Sequence, residues 1–486
     1  PAACAAGSAI TQLGDTVTCG AFAAASGSSS YIQNQNTTQQ ASASFWISGT
    51  GRVDTALQAP TFDTATAGTL TLGGNATSIN VVDDVTLAAG KSLTVAGGIT
   101  SSRPASPTEG MIYFDTTTKQ LLTYANGKWQ ADRTDAVIVA ASNSSQADKD
   151  VADYVADGNT AAAADGDQVQ INQALTAAAG KKVVLLAGTY TLDASISVPN
   201  NTTLAGVGAG TLVTIPNSFD AAINAITNTT TGGSGTGISI QDLRLDGNKT
   251  NQTTGTMRGV YFNGVGSGSG ASAIPGGKIN KVVSSNWREA GFRLDSSASN
   301  ILIGSTAQGN GSCGFYVNSS PYNTLTGNTS QGNATGFCTA GTATNNTITG
   351  NTAQGNTNSG FNLGSAYNTV TSNTSQGNTS AGFEINASNN SLSANTSQGN
   401  SGQGITLLAA NLNNITSNVI TDNGGAAQNN GIQLSSSDSN TIASNIITDS
   451  SASSTNYAIN ITNSTSDTNY ISGNRSEEHT SELQSH

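Results

Sequence analysis

The chain has 486 residues, only 9% of them charged and 36% apolar, and a net charge of −12. So few Lys and Arg offer nothing to nucleic acid or an anionic membrane surface, and no run of about 18 apolar residues is present to span a bilayer. Gly, Ser, Thr, Asn and Ala fill the apolar deficit, so a core must come from repetition or from sheet stacking.

Residues 1–60 read as a low-complexity attachment region in which Cys4 and Cys19 are placed to close a small loop. The chain opens at Pro1 without a charged-then-apolar leader, so any secretion signal is expected to be absent or removed. Short alternating strands between Gly turns follow in 61–102, for example TLTLGGNATSINVVDDVTLAAGKSLTVAGG over 69–98. Residues 103–134 predict a hairpin module, with Asn126-Gly127 as its turn and Trp129 closing it. This first third resembles modules of phage-type tail fibres and bacterial surface proteins. That resemblance implies a homotrimer built through the N-terminal region.

Residues 135–180 are expected to hold a linker and a capping helix, with an Asp N-cap and with Val169, Ile171 and Leu175 facing inward. From 181 to 474 the sequence repeats. NTSQGN stands at 328–333, 373–378 and 395–400, with NTAQGN at 351–356 and STAQGN at 305–310, 22 or 23 residues apart. Each unit starts on an Asn (Asn300, Asn323, Asn346, Asn368, Asn390, Asn413, Asn440, Asn469), has an apolar residue two later, and in seven units another Asn five later. An alternating pair such as Phe315/Val317 or Phe361/Leu363 comes later in the unit, and period two means strands.

A unit this small cannot cover its own apolar face, but stacked copies can. The fold class predicted is therefore all-β, a right-handed parallel β-helix of ten or more coils. Phe292, Phe315, Phe337, Phe361 and Phe383 should form one inward column. Asn323, Asn346, Asn368 and Asn390 should form a corner ladder, since Asn can bond to its copies above and below and tolerates left-handed turns. Cys313 lies two residues before its Phe and Cys338 one after its own, so the pair is expected on opposite faces and a bridge between them strained. Residues 475–486 abandon the pattern, read like a translated sequencing adapter and are set aside. They hold both histidines, His479 and His486, so the remainder can build no imidazole acid or base and no His-ligated metal site.

The stretch from 165 to 208, with Gly188-Thr189-Tyr190 after a capping helix, resembles the start of pectate-lyase-superfamily β-helices, and residues 150–474 resemble them as a whole. The resemblance implies the fold, an extracellular or cell-surface location and a polysaccharide or cell-surface glycan as partner. It covers lyases, hydrolases, tailspikes and adhesins alike.

From Ser296 to Thr421 the only charged residue is Glu384, so those coils cannot hold the carboxylate clusters that the superfamily's lyases and hydrolases use. The candidates for chemistry are Asp246, Arg258, Glu289, Arg293 and Asp295, set against the plainer reading of paired, solvated outward charges. Tyr261, Tyr316, Tyr322 and Tyr367 are the candidate sugar contacts; covering a corner is the plainer role for the last two. The outward pairs Thr324/Thr326, Thr347/Thr349, Thr369/Thr371 and Ser391/Ser393 form a hydroxyl array of the kind seen in ice-binding solenoids, a third reading that competes with ordinary strand preference. The sequence favours a structural and adhesive role, without cofactor or metal, over a polysaccharide lyase or glycosidase.

Overall fold

The computed structural model describes the backbone of 8–13 and 17–21, and residues 95, 97–117, 120–125, 127–131, 136–158, 165–178, 180–267, 274–424, 431–448, 457–462, 466 and 468–476. Two compact units divide the chain at residue 93. In the first, Ser8–Leu13 pairs antiparallel with Val17–Ala21. The attachment region's loop, Cys4 and the side chain of Cys19 fall outside the described residues.

The second unit is a right-handed parallel β-helix with three walls. The coils contribute strands of two to seven residues to each wall, and each strand pairs in parallel with its neighbour one coil away. Among the described residues the first wall has 14 strands, the second 12 and the third 11. Registers are strict: Leu325 lies on Ile348 in the first wall, Ser330 on Ala353 in the second, Phe337 on Phe361 in the third. The second wall runs on to Arg475–Ser476, which pair with Ile446–Ile447, two residues into the segment set aside above. No described helix is long and apolar enough to cross a membrane.

The interior follows from side-chain volume. The rings of Phe292, Phe315, Phe337, Phe361 and Phe383 stack at 4.7–4.8 Å, within 10° of parallel. Opposite them the second wall turns small residues inward: Ser284, Ala307, Ser330, Ala353 and Ser375. The third wall changes to Ile405, Ile432 and Ile459; the coil of Ile405 still turns Ser397 inward, and in the next two coils Ile420 and Ile447 add volume on the second wall. Closeness also explains the Gly before each Phe: a Cβ on Gly360 would stand 2.1 Å from Ser375 Oγ.

Three Asn columns, buried except at their last members Asn469 and Asn474, make the corners. The first holds Asn300 to Asn469, the second Asn328 to Asn474, and the third Asn310, Asn333, Asn356, Asn378, Asn400 and Asn423. In each, a side-chain oxygen accepts from the backbone and side-chain N–H of its copy one coil earlier, as Asn346 does from Asn323 at 2.8 and 3.1 Å. The left-handed residue is mostly the one before the buried Asn, and Gly, Tyr322, Tyr367 or Ala394 takes that strain.

Helix α1 (Gln146–Val151) flanks the first wall, and α2 (Gln168–Ala178) covers the end of the solenoid. The inward face of α2 is Gln168, Ile171, Ala174, Leu175 and Ala178. Val169, expected inward, is half-exposed: it sits on the opposite side of the helix, beside Asn172, Gln173 and Thr176. The Asp167 carboxylate takes N–H groups of Gly158 and Thr191, joining the helix start to the wall. Tyr190 is buried and donates to the Val139 carbonyl at 2.9 Å. Ahead of the solenoid, Ile112–Asp115, Gln120–Ala125 and Lys128–Ala131 form an antiparallel sheet, with Trp129 against Tyr113 and Tyr124.

Candidate functional site

Charge gathers on the outer face of the third wall, where four consecutive strands, Ile223–Asn228, Met257–Asn263, Phe292–Asp295 and Cys313–Asn318, present polar residues between inward apolar ones. Register alone builds two outward columns. One runs Thr227, Tyr261, Arg293, Tyr316, Cys338; the other Asn263, Asp295, Asn318. Glu289, from the corner before Phe292, reaches over them.

The charges pair across coils. Glu289 bridges the guanidinium groups of Arg258 and Arg293. Arg293 Nε also meets the Asp295 carboxylate at 3.0 Å, while that carboxylate accepts from Tyr261 Oη and from Asn318 Nδ2, both at 3.0 Å. Arg258 lies 5.0 Å over the Tyr261 ring and donates to Asn224 Oδ1 at 3.2 Å; Arg293 lies 4.7 Å over the Tyr316 ring. Burial raises the Tyr261 hydroxyl above the usual phenol range, reinforced by the charge of Asp295 and the hydrogen bond to it. Burial alone would lower Arg293, but hydrogen bonding to Asp295 and the charges of Asp295 and Glu289 outweigh it, so it too is raised. Both carboxylates therefore engage one guanidinium, within a planar array of hydrogen-bonding groups whose formal charges cancel.

Arg258, Tyr261, Glu289, Arg293, Asp295 and Tyr316 thus stand together. Asp246 does not join them. It lies on the second wall, in register with Thr214 and Ser285, and accepts from the Asn248 backbone at 2.8 Å. A strand belongs to one wall, and Asp246 and Arg258 lie on successive strands of one coil, so a groove uniting them would have to cross a corner. Tyr322 and Tyr367 sit apart at the corner preceding the first wall, 40% and 57% exposed and in left-handed backbone. They are two coils apart and form no pair. The Thr pairs lie outward on the first wall in register.

Cys313 and Cys338 form a disulfide with Cα atoms 6.1 Å apart, against the expectation of a strained bridge. Strict alternation fails where it was assumed. Cys313, Gly314 and Phe315 are all buried in succession, so the chain bends there and Cys313 turns toward the column that holds Cys338. Asn224 and Asn318 were also missed. Their signal is positional, since both fall in the outward register of charged neighbours.

A family model described as "Periplasmic copper-binding protein (NosD)" matches residues 193–363 and 339–477. No curated protein matches the sequence. Among solved structures, the A-module of Azotobacter vinelandii mannuronan C-5 epimerase AlgE4 is 22% identical with a TM-score of 0.49, covering 66% of this chain and 96% of its own. The pre-mature bacteriophage phi29 gene product 12 is 16% identical with a TM-score of 0.49, covering 65% and 51%. The periplasmic alginate epimerase AlgG is 12% identical with a TM-score of 0.42, covering 60% and 79%.

Proposed function

The chain belongs to the NosD family of periplasmic copper-binding proteins, and from that premise we propose that it is a rigid β-helix of the cell envelope or exterior, structural and adhesive, that holds a polysaccharide against its third wall. Copper finds no fitting set of ligands among the described residues. Among the described residues no three His, Cys, Asp or Glu side chains converge, Cys313 and Cys338 are joined to each other, and Met257 is fully buried in the core.

The observation that carries the reading is the Tyr261–Arg293–Tyr316 column, edged by Asp295 and Asn318. It offers aromatic edges and fixed donors and acceptors on a rigid sheet, and with the adjoining Arg258 and Glu289 its two guanidinium and two carboxylate groups carry no net charge. Such a surface recognises hydroxyl groups by direction rather than by charge, which favours a neutral or weakly charged glycan. The disulfide supports an oxidising compartment. Glu289 and Asp295 share the Arg293 guanidinium, so neither stands as the separate acid or base that paired-carboxylate hydrolysis requires.

The test is calorimetric titration of the full chain with a panel of neutral and acidic polysaccharides, repeated on Arg293→Ala/Tyr316→Ala. At least a tenfold loss of affinity in the variant supports the reading. Undiminished binding of neutral polysaccharide by the variant, or no such binding by the native chain, overturns it.

A further inference from the structure

A second concave surface lies where the antiparallel sheet meets α1, far along the chain from the third-wall residues. The cavity is about 410 Å³, and its lining includes Arg103, Tyr124, Lys128, Trp129, Lys149 and Asp150. Its floor is aromatic. Trp129 is held by Tyr113 at 5.7 Å and Tyr124 at 5.4 Å, both at steep angles, so the indole is fixed on the sheet and half-buried.

Its rim carries three cations and one carboxylate in a chain whose net charge is −12. Arg103 is engaged by the buried Asp115 at 2.7 Å, and Asp150 accepts from Gln146 at 2.8 Å. Among the described residues neither Lys128 nor Lys149 is in an ion pair. Lys128 lies over the Tyr154 ring, its Nζ 4.3 Å from the centroid. Burial lowers its pKa, partly offset by the charge of Asp153. A half-buried ammonium that rests on a ring is stabilised by an anion brought within reach, because local desolvation strengthens that attraction.

We propose that this cleft is a sugar-binding site for an acidic residue of a polysaccharide, with the pyranose ring against Trp129 and its carboxylate between Lys128 and Lys149. A flat apolar floor beside two cations matches a ring that bears one carboxylate. The proposal rests on the reading of the chain as a polysaccharide binder, but it uses none of the third-wall residues, so either can fail alone.

The full chain is titrated with a uronic-acid oligosaccharide, its carboxyl-reduced neutral counterpart and poly-glutamate, then again as Lys128→Ala/Lys149→Ala and as Arg293→Ala/Tyr316→Ala. The uronate is expected to bind at least tenfold more tightly than the neutral counterpart. The lysine variant should abolish that preference and the third-wall variant should leave it. Equal affinity for uronate and neutral sugar in the third-wall variant, a preference that survives loss of both lysines, or poly-glutamate binding as tightly as uronate would each overturn the site.

Discussion

Asn351 accepts two hydrogen bonds from Asn328 through one oxygen, from the backbone N–H at 2.9 Å and from the side-chain amide at 3.0 Å. Its own amide donates to the Leu325 carbonyl at 2.9 Å and to Asn373 at 3.0 Å. One buried side chain therefore closes the turns of two coils. Asn351→Ala orphans the buried Asn328 N–H, at about 1–3 kcal/mol, and takes one of its donors from the Leu325 carbonyl. Denaturant unfolding should show a clearly lowered midpoint, whereas the outward Thr349→Ala should stay within about 0.5 kcal/mol of the native chain.

The volume exchange between walls gives a coupled pair. Phe361→Ile alone leaves a void opposite Ala353, and Ala353→Ile alone overpacks the coil, each costing about 1–3 kcal/mol. The coils containing Ile420 with Ile432 and Ile447 with Ile459 show that the combination packs. The double variant should be more stable than the sum of the singles predicts, with an interaction energy of about 0.5–3 kcal/mol in a double-mutant cycle. Strict additivity would refute the exchange.

Reduction bears on Cys313 and Cys338, which close a segment with a sequence separation of 25. Opening that link, or Cys313→Ser/Cys338→Ser, should cost about 2–4 kcal/mol. Thermal melts with and without reductant should separate for the native chain through this disulfide, and the two cysteines should react with a thiol reagent only after reduction.

Alkaline pH acts on Tyr261. Its folded-state pKa is raised by burial and by Asp295, so the native state holds the proton more tightly than the unfolded chain. The stability this adds is complete below the ordinary phenol pKa of about 10 and is lost as pH rises through the folded value. Unfolding measured across that range should show the native chain losing stability more steeply than Tyr261→Phe. Parallel curves would contradict the assignment.

The fold was legible because the β-helix writes each rule once per coil: period-two pairs set the strands, and recurring Asn at fixed offsets sets the corners. The shared face of Tyr261, Arg293 and Asp295 was legible for the same reason, since stacking in register needs only a count of residues. The misses lie where that count breaks. The bend at Gly314 shifts the side-chain alternation and made the Cys313–Cys338 bridge look strained. Asp246 was grouped with Arg258 because the two are close in sequence, yet a corner lies between their walls. The final Asn of NTSQGN was not singled out as buried, since a polar residue in a Gly-rich turn reads equally well as exposed. Val169 fell on the wrong side of α2 because Gln168, despite its polarity, takes the inward position and bonds to Asp193.

The most direct measurement incubates the full chain with the polysaccharide panel and follows, in the same samples, bound polymer, new reducing ends and unsaturated-uronate absorbance. The account predicts neutral polymer retained by the native chain and lost with Arg293→Ala/Tyr316→Ala, acidic polymer still held by that variant through the Lys128/Lys149 cleft, and no product in either. Product released by the native chain and abolished by that variant would contradict it and make the third wall an active site.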